Sequence, residues 1–324
     1  MHKEKCEADA RMRTQDRLPA DKGRKKKRLI KIRFALTVLA GLLLLCGIFA
    51  LRQFGPGLVR QYRQQQRLTE LPDGSTLEVI FLDVGQADAT LLFCDGMTML
   101  IDTGYWENVD ILLDYLDAYQ VETIDYLVLT HADSDHIGGA ADVLASYEVE
   151  EVFFSDFEKD NPSYTGLIGA LQEEGLTAWL PDPGYGIAFG GATVTFLGPV
   201  GEWDTPNNTS ICLRIDHGVN SFLFTGDAQQ EAEEALLASG QELSATVYKV
   251  GHHGSYTSST EAFLNAVQPQ YAVISCGTGN DYGHPHTSAL KHLEAVGAEI
   301  YRTDLQGTLT FVSDGSTLTV PEGS

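Results

Sequence analysis

The sequence predicts an α/β fold in which two β-sheets pack face to face with helices outside, preceded by one membrane-crossing helix. Three observations predict it. Clusters of short β-preferring runs give way to helix–strand alternation, and this layout occurs twice without a visible sequence repeat. Four groups of Asp and His each stand just beyond a predicted strand. An uncharged 18-residue stretch, Phe34 to Leu51, follows a basic leader.

In chain order, residues 1–33 are polar and basic, with a dense run from Arg24 to Arg28, and read as a cytoplasmic tail. Residues 34–51 are at the short end of a membrane span. The basic flank precedes the span, so the remainder of the chain is expected outside the cell. The long leader and the lack of a small-x-small cleavage site favour a retained signal anchor; secretion after signal cleavage is the alternative. Residues 52–76 are Gln/Arg-rich and read as a juxtamembrane linker, and 77–324 as the folded domain. That domain opens with three predicted strands, 77–83, 89–94 and 97–102, the last two joined by the hairpin signal Asp95-Gly96. A helical face at Val109, Leu112, Leu113 and Leu116 leads to a strand at 126–130. A helix near 138–147, a strand at 151–155, a helix near 166–174 and a strand near 176–180 complete the first half. In the second half, strands at 192–197, 211–215 and 221–225 precede alternation. Helices near 229–238, 260–267 and 287–296 are interleaved with strands at 245–250, 271–276 and 299–302. Two more strands, near 308–312 and 317–320, close the domain.

The net charge of -23 is unevenly spread. Thirteen basic and five acidic residues lie in 1–51, which leaves nine and forty in 52–324. Beyond Leu71 the basic residues are Lys159, Arg214, Lys249, Lys291 and Arg302. No basic duplex-DNA-binding surface is therefore expected, because such binding needs a cationic footprint. The cysteines show no CxxC pair; Cys94, Cys212 and Cys276 read as small core residues, with a disulfide among them left open.

The chemistry concentrates in Thr130-His-Ala-Asp-Ser-Asp-His-Ile-Gly-Gly139, where four metal-capable side chains fall within six positions. Imidazole and carboxylate together suit zinc, manganese or iron. Acids capping the next helix are the plainer reading of such a loop. Three later groups weigh against it: Thr225-Gly-Asp227, His252-His253-Gly-Ser255, and Tyr282-Gly-His284-Pro-His286. Six of the nine histidines lie in these groups; His2, His217 and His292 read as tail or surface residues.

The order HxDxDH, TGD, HHGS, YGHPH resembles the metallo-β-lactamase fold. More narrowly, it is similar to the extracellular metallo-β-lactamase-like domain of the ComEC/Rec2 competence proteins. Asp83-Val-Gly-Gln-Ala-Asp88-Ala resembles that group's D-V-G-Q-G-D-A opening. Ile101-Asp-Thr-Gly104 resembles its next strand end, and Pro206-Asn207-Asn208-Thr-Ser210 its Asn-rich loop. The resemblance covers about residues 77–320 and implies a four-layer αββα sandwich with a two-metal site at one edge. Asp133 stands where the commoner HxHxDH motif has its second His, and Asn207 or Asn208 where a further His of the first metal falls. Oxygen in place of nitrogen tilts that position toward manganese or weak occupancy. The family carries a many-helix channel, whereas this sequence offers one candidate span, so no translocation pore is expected within it.

The resemblance implies two divalent ions, Zn or Mn. His131 and Asp133 would hold the first, and Asp135, His136 and His253 the second, with Asp227 bridging. His284 or His286 is an alternative to His253. Asp135 with His252, His284 and His286 are the candidate catalytic groups, the histidines as proton donors to a leaving group. Asn208, Lys249 and Ser255 are candidate phosphate contacts, and Asp83, Asp88 and Asp102 candidate supports of the ligands. The function expected is a membrane-anchored hydrolase of a phosphodiester in DNA or RNA. Hydrolysis of a small or cell-envelope ester such as phosphorylcholine, or a non-catalytic binding module, are the alternatives.

Overall fold

A computed structural model describes residues 74–155 and 157–321. The expected tail and anchor, and all but the end of the linker, lie outside them. Among the described residues no helix is long and apolar enough to cross a membrane.

The strands are short, and central ones such as Leu77–Phe81 and Asn220–Phe224 are buried on both faces by the layers that cover them. β1 (Leu77–Phe81), β2 (Thr90–Cys94) and β3 (Met97–Ile101) form an antiparallel meander. Asp95 and Gly96, both at positive φ, turn the β2–β3 hairpin. From β3 the sheet continues in parallel through β4 (Thr123–Leu129), β5 (Glu148–Phe154) and β6 (Ala178–Trp179). Parallel neighbours need crossovers. These are supplied by α1 (Val109–Ala118), the pair α2 (Ser134–Ile137) and α3 (Ala140–Ser146), and α4 (Pro162–Glu174).

The second sheet repeats the plan. β7 (Gly186–Phe189), β8 (Ala192–Gly198), β9 (Cys212–His217) and β10 (Asn220–Phe224) are antiparallel neighbours. β11 (Val247–Lys249), β12 (Tyr271–Ile274) and β13 (Glu299–Arg302) continue in parallel. Their crossovers are α5 (Gln230–Ser239), α6 (Glu261–Val267) and α7 (Thr287–Ala295). After a short α8 (Thr303–Gln306), β14 (Leu309–Ser313) returns to pair with β1, and β15 (Leu318–Thr319) pairs with β14.

Three apolar cores give four layers. One lies between the sheets and includes Phe81, Phe153, Phe196, Phe222 and Phe311. A second packs the first sheet on α1–α4, and a third packs the second sheet on α5–α7. The αββα layering expected from the sequence is thus present. The differences are local. β7 and α8 were not predicted, and the expected loop after β4 contains the one-turn helix α2. Cys94, Cys212 and Cys276 are buried free thiols, so no disulfide links them.

Candidate metal centre

In an open parallel sheet, ligands gather beyond the carboxyl ends of the strands. Here β3, β4, β10, β11 and β12 deliver Asp102, the His131–His136 run, Asp227, His252–His253 and the segment leading to His284–His286 to one edge. The six motif histidines form a continuous array. Ring centroids are 4.1 Å apart for His131–His136, 5.3 Å for His136–His253, 5.7 Å for His252–His284 and 4.9 Å for His284–His286.

Asp102 organises the start of the array. Its carboxylate accepts from the Thr130 N–H, the Thr130 hydroxyl and His136 Nδ1, each at 2.8 Å and buried. Holding it there places Asp102 at φ 60°, a left-handed conformation that a non-glycine residue adopts only when its surroundings demand it. Asp133 takes the N-cap position of α2, yet its side chain makes no capping bond. The plain capping role is therefore not the one it plays. Gly138 and Gly139 let α2 approach the β3 loop. A Cβ at Gly138 would overlap the Trp106 amide nitrogen and the Ser134 carbonyl. On the second sheet, Gly226 at φ 50° turns the chain so that the Ser210 hydroxyl binds the Asp227 N–H. His252 and His253 sit in consecutive left-handed conformations, at φ 51° and 54°.

Hydrogen bonds to one ring nitrogen dictate what the other offers. His136 donates from Nδ1 to Asp102, and His253 from Nδ1 to the Ser275 carbonyl at 3.0 Å. Since the Thr130 hydroxyl donates to Asp102, it accepts from His131 Nδ1 at 3.2 Å. The Thr257 hydroxyl donates to Ser255 and so accepts from His252 Nδ1 at 2.9 Å. With Nε2 deprotonated, all four rings would therefore present a lone pair there; as the site stands, His253 Nε2–H donates to Asp135 at 3.2 Å. The last two are the opposite. Gln86 takes the Gly277 N–H on its oxygen, which fixes its amide group, and donates to His284 Nδ1 at 3.3 Å. The Tyr256 N–H donates to His286 Nδ1 at 3.2 Å. Both rings therefore carry their proton on Nε2.

The lone pairs converge on carboxylates. One ligand atom each from Asp135, His136, Asp227 and His253 lies within 4.8 Å of the others. His136 Nε2 and His131 Nε2 are buried without a hydrogen-bond partner, as is Asp227 Oδ1. Buried polar atoms are rarely left unpaired. Two imidazoles and two carboxylates around one point, with orphaned donor atoms, fit a divalent cation. The first position is looser. His131 Nε2 lies 4.0 Å from Asp133 and 3.9 Å from Asp227, so Asp227 faces both positions.

The electrostatics belong to the same cluster. Burial opposes ionisation of Asp135, but the bond from His253 and the charge of His136 prevail and hold its pKa at about 2. Burial works against protonation of His253, yet Asp227 and Asp88 outweigh it and raise its pKa to about 10. His136 is raised well above its usual value by Asp227 and Asp102, again against burial. His284 is pushed down to about 4 by burial and by its neighbours His253 and His252. A cation entering the carboxylate cage thus displaces protons that the cage has attracted.

The remaining expected residues surround this cluster. Lys249 is buried, and its ammonium is bound to Asp88 at 2.8 Å and to the Val250 carbonyl. Asn208 uses its amide oxygen on the Gln229 N–H, while its neighbour Asn207 stands 3.4 Å from His252 Nε2. Ser255 is buried and holds Thr257, and through it His252. Asp83 caps its own turn at the Gly85 N–H. Asp88 lies beside His253 as well as Lys249, a support of both. His217 is not a surface residue: it is buried against the Ser313 hydroxyl and Ser75. Three contributors were not picked out from the sequence, namely Gln86, Thr130 and Lys159. Gln86 stood inside the quoted D-V-G-Q run, and Thr130 at the head of the central one. Lys159 reaches Asp133 at 2.6 Å from a loop with no motif of its own.

A face-packed αββα sandwich with a His/Asp cation site at its strand ends defines a metallo-hydrolase architecture. The chain belongs to the metallo-beta-lactamase superfamily, whose profile matches residues 82–278. It is 31% identical over 253 residues to ComE operon protein 3 of Bacillus subtilis, covering 72% of this chain and 33% of that protein. It is 33% identical over 240 residues to competence protein ComA of Neisseria gonorrhoeae, covering 71% of this chain and 31% of that protein. The resemblance read from the motifs is thus matched along the domain, while the chain spans about a third of the length of these curated relatives. Among solved structures, the metallo-beta-lactamase fold protein YhfI of Bacillus subtilis superimposes with a TM-score of 0.51 at 14% identity, over 74% of this chain and all of that one.

Proposed function

We propose that this chain is a metal-dependent phosphodiesterase acting on single-stranded nucleic acid. The observation that carries the reading is the cage of Asp135, His136, Asp227 and His253 with its orphaned buried atoms. A divalent ion held there supplies Lewis-acid polarisation of a phosphoryl oxygen and acidifies water. The chain's own groups do the rest. Asp227 and Asp135 concentrate negative charge at the cage. His252 keeps an Nε2 lone pair 3.6 Å from Asp227, poised to take a proton. His284 and His286 hold Nε2–H donors beside it, suited to phosphoryl oxygens and to the departing oxygen.

The relatives named for competence point toward DNA. The acidic balance of residues 52–324 argues against a duplex gripped by its phosphates. Exposed Tyr282 stacks on His284 at 5.6 Å, and exposed Tyr256 packs on His286 at 4.9 Å. Aromatic faces beside the centre suit unpaired bases, which bind by stacking rather than by charge. Membrane anchoring by residues 34–51, with this domain outside the cell, belongs to the same proposal and rests on the hydropathy and the basic flank.

The test is the full chain with defined Mn²⁺ or Zn²⁺, assayed on single-stranded DNA, duplex DNA, bis-p-nitrophenyl phosphate and phosphorylcholine. Cleavage of single-stranded DNA, lost in Asp135→Asn, is the expected result. Turnover of small esters alone would move the reading to a small-ester hydrolase. Metal binding without turnover of any substrate would move it to a binding module.

A further inference from the structure

We propose that Lys159 serves as a built-in cation at the first metal position, so that the protein holds one resident divalent ion, in the Asp135/His136/Asp227/His253 cage. This rests on the hydrolase reading only in taking that cage as the resident site.

Four observations carry it. First, the Lys159 ammonium is 2.6 Å from Asp133 Oδ1, the carboxylate oxygen that lies 4.0 Å from His131 Nε2. An ion shared by His131 and Asp133 would have to come up against that ammonium, and like charges repel strongly at such range. Second, the charges differ between the positions. The cage offers two carboxylates and two imidazoles. The first position has one imidazole, the carboxylate of Asp133 already neutralised by Lys159, and a share in Asp227. Third, among the described residues nothing else completes the first position. Asn207 is drawn to His252, and Asn208 is used on the Gln229 N–H. Fourth, the lysine is held in place by the fold. Asn161 caps α4 through the Tyr164 N–H, and its amide binds the Ala132 carbonyl at 3.2 Å. The Asn161 N–H in turn binds the Lys159 carbonyl at 3.0 Å. The lysine loop is thereby pinned alongside the His131–His136 run.

The ammonium then provides fixed positive charge where a second ion would otherwise sit. Its side chain is one-third exposed beside Asp133, so it can meet a substrate's phosphoryl oxygen without carrying a metal's preference for ligand geometry.

The experiment is metal stoichiometry of the full chain, by elemental analysis after equilibration with Mn²⁺ and by titration calorimetry. One tight equivalent is expected for the native chain and for Lys159→Arg, and two for Lys159→Met. The second equivalent in Lys159→Met should be about 10–100-fold tighter than any weak second binding to the native chain. It should vanish in Lys159→Met/Asp133→Asn, which also tests whether Asp133 is its ligand. The first equivalent and an unchanged near-ultraviolet circular dichroism spectrum show that the variants are folded. Two tight equivalents in the native chain, or a single one in folded Lys159→Met, would overturn the inference and leave the hydrolase reading standing. Absence of any tight ion in the native chain would overturn both.

Discussion

Asp102→Asn separates the geometry of the centre from its charge. The native carboxylate accepts three buried hydrogen bonds, two from Thr130 and one from His136 Nδ1. An amide can satisfy only part of this. The Thr130 N–H cannot rotate, so it selects the amide oxygen for itself and turns the NH₂ toward His136. That ring must then accept on Nδ1, and its remaining proton moves to Nε2, the atom aimed at Asp227. The lone pair needed for a metal is lost unless the amide turns over and leaves the Thr130 N–H unpaired. Either route costs about 1–3 kcal/mol, the penalty for one unsatisfied buried group. Metal affinity should therefore fall about 10–100-fold, as it does for other partners that orient a ligating imidazole. Competition against a chelator of known affinity measures this directly. Urea unfolding of the metal-stripped variant measures the accompanying loss of stability. Affinity within twofold of the native value, in a variant with native stability, would refute the hydrogen-bond assignment.

The pH dependence of the metal-stripped protein follows from the shifts of His253, Asp135 and His284. His253, raised to about 10, contributes stability that is complete below its unfolded value near 6.5 and is lost as pH rises toward 10. Asp135, held at about 2, contributes above its unfolded value near 3.8 and loses that contribution as pH falls toward 2. Chemical denaturation across pH should show a maximum near 6.5, because His284, pushed down to about 4, removes stability as pH falls from 6.5 toward 4; saturating metal should abolish the alkaline decline. Lys249→Met strands Asp88 in the interior and should cost about 3–5 kcal/mol in urea unfolding, most of it recovered in Lys249→Met/Asp88→Leu. No recovery would mean that the pair is not coupled. Gly138→Ala would force a Cβ into the backbone of Trp106 and Ser134 and should destabilise by about 1–3 kcal/mol or prevent folding. A native melting temperature would contradict the close approach.

Much of the site was legible because each ligand follows a parallel strand, and short apolar runs before His131, Asp227 and His252 mark those strands plainly. Direction was the harder matter. Lys249 belongs to a motif, but it sits on a strand whose alternate residues face opposite ways, and its side chain enters the interior to meet Asp88. His217 looked like a surface residue because its partners, Ser75 and Ser313, are 142 and 96 positions away. β7 and α8 escaped notice because Gly186–Phe189 and Thr303–Gln306 are short and weakly patterned. α2 was hidden by its own polar ligands, which look like a loop until Gly138 and Gly139 are seen closing it onto the neighbouring turn. Lys159 had no sequence signal beyond being a rare base in an acidic domain. Its meaning depends on Asn161 tying two distant loops together.

The two sheets divide the ligands between them. Asp135 and His136 follow β4 of the first sheet, while Asp227 and His253 follow β10 and β11 of the second. The Asp88–Lys249 pair crosses the same seam a few residues away. An ion held in the cage would therefore act as a clasp across the halves of the sandwich as well as a reagent. Removing it should loosen amide protons at the mouth of that seam ahead of those at the opposite end, where β15 and β14 close the first sheet. Catalytic competence and mechanical closure would then respond to the same ion, and a chain that had lost its metal would be both idle and ajar.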